Sequence, residues 1–279
     1  MESLQVSAVM KRRPVSVRED ASLDEAMALM DGRDIRHLPV VGPGKPRGVV
    51  GVISDRDLLE LTGWLHPRQR EWLEAPSGCV REFMHAPAVT AAPGDSLASV
   101  VERIVGRRIG CLPVVDGGEL VGILTESDLL RVFLTALEKG RIAARHDQPV
   151  EDCVHRDAPS VAPDTPATEA AEQMHGELGR HLLVIEEERV AGVLSDRDLR
   201  LATGRGELDG TPVRELMAPE PVTVEAGERL SAAARHMVEG RFGALPVTRG
   251  GRPFGLLVLA DLLAPCLEAL QAARVAGRA

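Results

Sequence analysis

One short motif returns four times along the 279-residue chain, and it constrains the fold more than any other feature. The motif is a glycine, two hydrophobic residues, a hydroxyl residue, two variable residues, an aspartate and a leucine. Its aspartates are Asp57, Asp128, Asp198 and Asp261, and its hydroxyl residues are Ser54, Thr125 and Ser195, with Val258 in the fourth copy. Recurrence at a regular spacing predicts an array of similar units that bury their apolar faces against one another.

Other segments recur in phase with the motif, so each copy belongs to a larger repeat. An apolar strand such as residues 38–41 precedes each glycine, and a helical segment precedes that strand. Ser22 and Glu25 form the pattern of a capping box at the first helix. In the third copy, Thr165 is the predicted N-cap and Pro166 the predicted first helical residue. Each repeat therefore reads as strand, helix, strand, strand, helix, which predicts an α/β (α+β) fold.

The recurring segments also set the predicted domain bounds. The four repeats are expected to span residues 6–61, 80–132, 150–201 and 213–264. A unit of roughly 50 residues buries too little surface to be stable by itself. The repeats are therefore expected to form two pairs, residues 1–140 and 149–265, followed by a helical tail at 265–279.

Composition excludes several classes of partner. The net charge of −9 gives no basic field for nucleic acid, and the 2% aromatic content provides no stacking platform for single strands. No apolar run reaches the ~18 residues of a membrane helix, and no signal-peptide pattern opens the sequence, so we expect no membrane insertion and a cytoplasmic location. The four cysteines have no CxxC spacing, and the histidines no metal spacing, so we expect no structural metal.

The repeat resembles the cystathionine-β-synthase-type (CBS) domain family. The resemblance rests on the order of segments, the LPVV strand and the closing motif, and it covers most of the chain. It implies that two units pack by their strands into a pseudo-twofold pair. Clefts between such units bind adenosine compounds, and the pairs usually regulate an enzyme or transporter. A chain of four units alone resembles, in architecture, the gamma subunit of AMP-activated protein kinase.

Site residues follow from placing the family's pattern on this sequence. The motif lies where a strand meets a helix N-terminus, a place that favours anionic groups. The resemblance assigns the ribose to Asp57, Asp128, Asp198 and Asp261, and a ribose or phosphate oxygen to Ser54, Thr125 and Ser195. Val258 puts the fourth site in question. The adenine is expected in an apolar slot near Val15, Val89, Pro159 and Val222.

Basic residues mark alternate repeats. Arg36-His37 in repeat 1 matches Arg180-His181 in repeat 3, and Arg56 matches Arg197, whereas repeats 2 and 4 have Gly110-Cys111 and Gly243-Ala244. Arginine suits phosphate because its guanidinium presents a planar fork of donors. By resemblance, Arg36 and His37 serve the Asp128 site, and Arg180 and His181 the Asp261 site. Arg56 and Arg197 serve the sites of Asp57 and Asp198. The alternative is that these arginines are solvated, the histidines are packing residues, and the motif is only a helix cap.

The function expected from these features is regulation without catalysis. The chain is predicted to bind AMP, ADP or ATP between paired units and to signal to an effector protein, with no redox cofactor. It would form a disc of four units within one chain, or a homodimer. An S-adenosylmethionine sensor and a ligand-free interaction scaffold are the alternatives. A nucleotide hydrolase is a third, but no HExxH, GxSxG or P-loop pattern is present.

Overall fold

A computed structural model describes residues 5–44, 48–61, 78–140, 147–174 and 180–276 of the chain. These residues form two compact halves. The N-terminal half contains repeats 1 and 2 together with the chain from Cys266 onward, and the C-terminal half contains repeats 3 and 4 up to Pro265.

The N-terminal half holds two copies of the same order of elements. Repeat 1 consists of a 3-10 helix (Val6–Ala8), β1 (Lys11–Arg12), β2 (Val17–Arg18), α1 (Leu23–Arg33), β3 (His37–Val41), β4 (Val49–Ser54) and α2 (Asp55–Leu61). Repeat 2 consists of a 3-10 helix (Val80–Glu82), α3 (Leu97–Arg107), β5 (Cys111–Asp116), β6 (Glu119–Thr125) and α4 (Glu126–Glu138).

The C-terminal half repeats this order twice more. Repeat 3 consists of a 3-10 helix (Val150–Asp152), β7 (Ser160–Val161), α5 (Ala167–Gln173), β8 (His181–Glu186), β9 (Arg189–Ser195) and α6 (Asp196–Gly204). Repeat 4 consists of a 3-10 helix (Val213–Glu215), β10 (Ala218–Pro219), β11 (Val224–Glu225), α7 (Leu230–Gly240), β12 (Ala244–Arg249), β13 (Arg252–Val258), a second 3-10 helix (Leu259–Leu262) and α8 (Leu263–Ala276). The predicted α/β class with four such repeats is confirmed.

Each repeat has a small mixed sheet. A short first strand lies parallel to the apolar middle strand, which pairs antiparallel with the third. The orders are β2-β3-β4, β11-β12-β13 and β7-β8-β9-β10, in which β10 is contributed by repeat 4. In repeat 2 the first strand is reduced to a single parallel bridge between Ala91 and Val114. The middle strands are buried almost throughout, which explains their run of aliphatic residues.

The two repeats of each half exchange their first segments. The Val6 amide donates to the Asp95 carbonyl of repeat 2 at 3.0 Å, and the Val80 amide donates to the Ala21 carbonyl of repeat 1 at 2.9 Å. In the C-terminal half, Val150 bonds Glu228 and Val213 bonds Thr165 in the same way. All four valines are fully buried. Each repeat therefore completes its partner, and neither repeat of a half is closed by itself.

Of the two predicted helix N-caps, one is confirmed and one is wrong. The Ser22 hydroxyl accepts the Glu25 amide at 3.1 Å, which confirms the predicted N-cap of α1. The prediction for the third repeat is wrong, because α5 begins at Ala167 with Pro166 as its N-cap. The Thr165 hydroxyl instead accepts the Ala162 amide at 3.2 Å and closes the preceding turn. The Thr165 hydroxyl is thus used in the preceding turn, and Pro166 has a non-helical ψ of 137°, so the helix starts one residue later than predicted.

Candidate functional site

The four motif aspartates occupy the same position at the start of the last helical segment of their repeats. In the first repeat, Oδ2 of Asp57 accepts the Ser54 amide at 2.7 Å and the Ser54 hydroxyl at 2.8 Å. Thr125 and Asp128 repeat this geometry at 3.0 and 2.6 Å, and Ser195 and Asp198 at 2.8 and 2.6 Å. These bonds satisfy helix-start amides and fix the carboxylate, so the capping alternative describes one real role of the motif.

The fourth junction keeps the backbone bond and lacks the hydroxyl. Oδ2 of Asp261 accepts the Val258 amide at 2.8 Å, and the Val258 side chain adds no polar contact. Burial raises the pKa of Asp261 above its ordinary value, while the Val258 amide and His155 act in the opposite direction. The carboxylate at this junction therefore accepts one hydrogen bond fewer from residue 258 than the other three accept from their hydroxyl residues.

A side chain from the partner repeat reaches the other carboxylate oxygen at three of the four junctions. Lys11 Nζ lies 3.1 Å from Oδ1 of Asp128, and His85 Nε2 lies 2.9 Å from Oδ1 of Asp57. In the C-terminal half, His155 Nε2 lies 2.8 Å from Oδ1 of Asp261. These three residues are not among the site residues predicted from the sequence. The signal was available, because each directly follows the recurring Val-x-x-x-Met/Val segment that opens its repeat.

The motif glycines explain how the partner segment comes so close. A Cβ on Gly51 would lie 2.5 Å from Met84 Sδ, and one on Gly122 would lie 2.6 Å from Met10 Sδ. Gly192 faces Met217 in the same way, and Gly255 faces Val154 and the His155 carbonyl. Only a residue without a side chain admits the partner backbone at these positions. The motif glycine of one repeat therefore lies against the partner segment, next to the residue that follows its methionine or valine.

Two of the predicted basic residues contact the junctions through their backbone carbonyls. The carbonyls of Arg36 and Arg180 accept the first amides of α2 and α6, from Asp55 at 3.0 Å and Asp196 at 2.9 Å. The Arg180 guanidinium also lies 3.6 Å from the Asp196 carboxylate of its own repeat. On the helix side, Arg56 is exposed and Arg197 half-buried. The assignment of these arginines to phosphate stays a prediction.

The histidines next to these arginines give the alternation a packing explanation. A Cβ on Gly110 of repeat 2 would lie 2.5 Å from His37 Nε2, so the His37 ring occupies the space above that glycine. The His37 side chain of repeat 1 thus packs over Gly110, the residue of repeat 2 that takes the place of Arg36. His181 of repeat 3 is buried, with only 7% of its surface exposed. Alternation of large and small residues is expected where two similar units meet.

The predicted adenine-slot residues differ in exposure. Val15 is half-buried and packs against the core of repeat 1, and Val89 is half-buried in repeat 2. The Pro159 carbonyl accepts the Leu183 amide at 3.1 Å, whereas Val222 is 40% exposed. Their assignment to adenine also stays a prediction.

Among the residues that the structure describes, no three His, Cys, Asp or Glu side chains are grouped to hold a metal ion. Within the same ranges, no helix is both long and apolar enough to cross a membrane.

The geometry defines a class of protein built from paired β-α-β-β-α modules that exchange their first segments. The CBS domain family model matches residues 6–62, 80–135, 150–204 and 213–267, and the chain belongs to the CBS domain family. An uncharacterized protein of Methanocaldococcus jannaschii, MJ1225, is 25% identical over 256 residues, covering 85% of this chain and 89% of that protein.

Two solved structures resemble the chain over most of its length. The structure of MJ1225, described as a candidate archaeal homologue of g-AMPK, has a TM-score of 0.77 at 24% identity and covers 94% of this chain and 99% of that one. An uncharacterized conserved protein from Pyrococcus horikoshii has a TM-score of 0.67 at 22% identity, covering 94% of this chain and all of that one. At these identities the likeness shows the fold.

Proposed function

We propose that the chain is a non-enzymatic regulatory protein that binds an adenine nucleotide at its strand–helix junctions and signals to an effector protein. The observation that carries this proposal is the fixed carboxylate at the start of a helix, held by an amide and a hydroxyl in three repeats. Membership of the CBS domain family supports it, because the family resemblance implies adenosine ligands in clefts between paired units.

The chemistry of the junction suits a ribose. The amide and hydroxyl bonds to Oδ2 leave Oδ1 of the carboxylate as an acceptor for ribose hydroxyls. The helix start adjoins the same carboxylate and favours negative charge, so phosphates would extend toward it. Arg56 or Arg197 would then supply the bidentate donors that phosphate prefers.

One observation favours a second candidate function for part of the molecule. Three of the four carboxylates already have a lysine or histidine of the partner repeat on Oδ1. A junction whose carboxylate is satisfied internally can serve assembly without a ligand. An interaction scaffold is therefore the alternative for those three junctions, and S-adenosylmethionine is the alternative ligand wherever a ribose binds.

Isothermal titration with AMP, ADP, ATP and S-adenosylmethionine tests the proposal. We expect at least one nucleotide to bind, and Asp198→Ala or Asp128→Ala to remove one site from the measured stoichiometry. Asp116→Ala is the matched control, because Asp116 is an exposed aspartate at the end of β5 away from the helix start. Absence of heat and of thermal shift with all four compounds would contradict nucleotide binding. Phosphate release that Asp57→Ala abolishes would contradict the non-enzymatic role.

A further inference from the structure

One position in each repeat carries a polar residue next to three of the junctions and an apolar residue next to the fourth. It is the residue paired with the first residue after the motif glycine of the partner repeat. Lys11 pairs with Ile123, His85 with Val52, His155 with Leu256 and Ala218 with Val193. The register is the same in all four cases, so these residues occupy equivalent places. We call it the latch position.

Three of the four latch residues contact the carboxylate that lies next to them. Lys11, His85 and His155 each lie within 3.1 Å of an Oδ1 atom, and Arg131 of α4 adds a second contact to Asp128 at 3.4 Å. Ala218 has no polar side chain to make this contact. In the part of the chain that the structure describes, the side-chain carboxylate of Asp198 is hydrogen-bonded only by Ser195.

A latch contact competes with a ligand for the same atom. The junction amide and hydroxyl are both bonded to Oδ2, so Oδ1 is the oxygen that a ribose hydroxyl would use. A ribose hydroxyl must share or displace the side-chain donor there, and a bond to an ionised donor such as Lys11 is of the stronger kind. At Asp198 a ribose hydroxyl meets no such competitor.

Two of the three polar latch side chains are largely exposed, and that of His155 is 38% exposed. Lys11 is 56% exposed and His85 is 82% exposed, whereas their aspartates are about as buried as core residues. Such a side chain can rotate away without moving the backbone. The contact therefore weakens ligand binding by a graded amount and does not close the junction permanently.

We propose that the latch residue decides which junction accepts ligand first, and that the Asp198 junction is the one ready for a nucleotide in the ligand-free protein. The inference rests on the proposed function and adds to it the choice among four similar sites. The Asp57, Asp128 and Asp261 junctions take ligand more weakly, because Lys11, His85 or His155 must first release the carboxylate.

The first part of the test needs no ligand. A double-mutant cycle with Lys11→Ala and Asp128→Ala in the full chain, followed by urea unfolding, measures the coupling between the two side chains. We expect a measurable coupling for this pair. Arg12→Ala is the matched control for Lys11→Ala, because Arg12 is the exposed neighbour on the same short strand. Absence of coupling would overturn the latch.

The second part titrates the full chain with AMP and with ATP. We expect Asp198→Ala to remove the tightest site and Ala218→His, at a pH at which histidine is protonated, to weaken it by about tenfold, the effect of one charge-assisted hydrogen bond. Ala218→Val controls for side-chain size and should leave the affinity near that of wild type. Lys11→Ala should strengthen binding at the Asp128 junction, and Arg12→Ala should not.

The outcomes separate the two proposals. Binding by wild type with no change in Ala218→His and Lys11→Ala overturns the latch and leaves nucleotide binding in place. Weaker binding in Lys11→Ala also overturns it, because Lys11 would then be a ligand contact. If tight binding survives Asp198→Ala, the proposal that the Asp198 junction binds ligand first is overturned. No binding by any variant, with the coupling present, overturns nucleotide binding and with it the choice among sites.

Discussion

At the scale of single residues, the motif aspartate uses its two carboxylate oxygens differently, and the sequence cannot separate the two uses. A Ser-x-x-Asp pattern is typical of a helix cap. It caps here, because the Ser54 amide donates to the Asp57 carboxylate and the Asp57 amide donates to the Ser54 hydroxyl. What sets it apart from a simple cap is the second oxygen, which faces the partner repeat. Its environment depends on a residue that is 28 positions away in sequence for Asp57 and 106 positions away for Asp261.

The cysteines allow a residue-scale prediction about reactivity. Burial raises the pKa of the Cys111 thiol to about 12, and only 4% of this residue is exposed. Alkylation requires the thiolate, so Cys111 should react with iodoacetamide at pH 8 at least about 10³-fold more slowly than an accessible thiol. Peptide mass spectrometry of the native protein measures this, with Cys153 as the half-buried comparison. Equal labelling of both would contradict the buried position of Cys111.

At the scale of elements, the apolar pattern predicts the helices and strands within a repeat but not the strand pairing between repeats. The strand preceding each glycine and the helix before it follow from spacing alone, because local sequence sets them. The pairing of β1 with β6 and of β10 with β9 could not be predicted that way. Two-residue strands carry almost no periodic signal, and their partners belong to another repeat.

The glycines of the motif provide the element-scale prediction. In Gly122→Ala the new Cβ would lie 2.6 Å from Met10 Sδ and 3.1 Å from the Lys11 carbonyl, so the exchanged segment must shift. We expect a loss of about 1–3 kcal/mol in the free energy of unfolding, as for other overpacked sites. Urea unfolding measures it.

A matched glycine gives the control for this loss. Gly106 lies within α3, and a Cβ there would meet nothing within 4 Å. Gly106→Ala should stabilise the protein by about 0.5–1 kcal/mol, because alanine has the higher helix propensity. Equal effects of the two substitutions would contradict the close approach at Gly122.

At the scale of the molecule, the exchange of first segments makes each half a single cooperative body. Val6 is fully buried although it belongs to the first segment of repeat 1, since it docks on repeat 2. Loss of that segment exposes apolar surface in both repeats at once. Stability is thus shared by the pair and is not the sum of two independent units.

Hydrogen exchange provides the test at this scale. Val6→Asp places a charge in the buried contact, so amide protection should fall together in repeat 1 and in repeat 2. Ala8→Asp is the control, because Ala8 is exposed two residues later in the same 3-10 helix, and it should leave protection unchanged. A loss of protection confined to repeat 1 would show that the repeats unfold separately.

The exchanged segments also limit how such a chain can change in evolution. If one repeat is deleted, its partner loses the first segment that packs on it. The buried surface on the partner where that segment docks is then left uncovered. A repeat that is gained alone has no partner for its first segment. Viable ancestors and descendants of this chain should therefore differ by two repeats at a time, and the count should remain even.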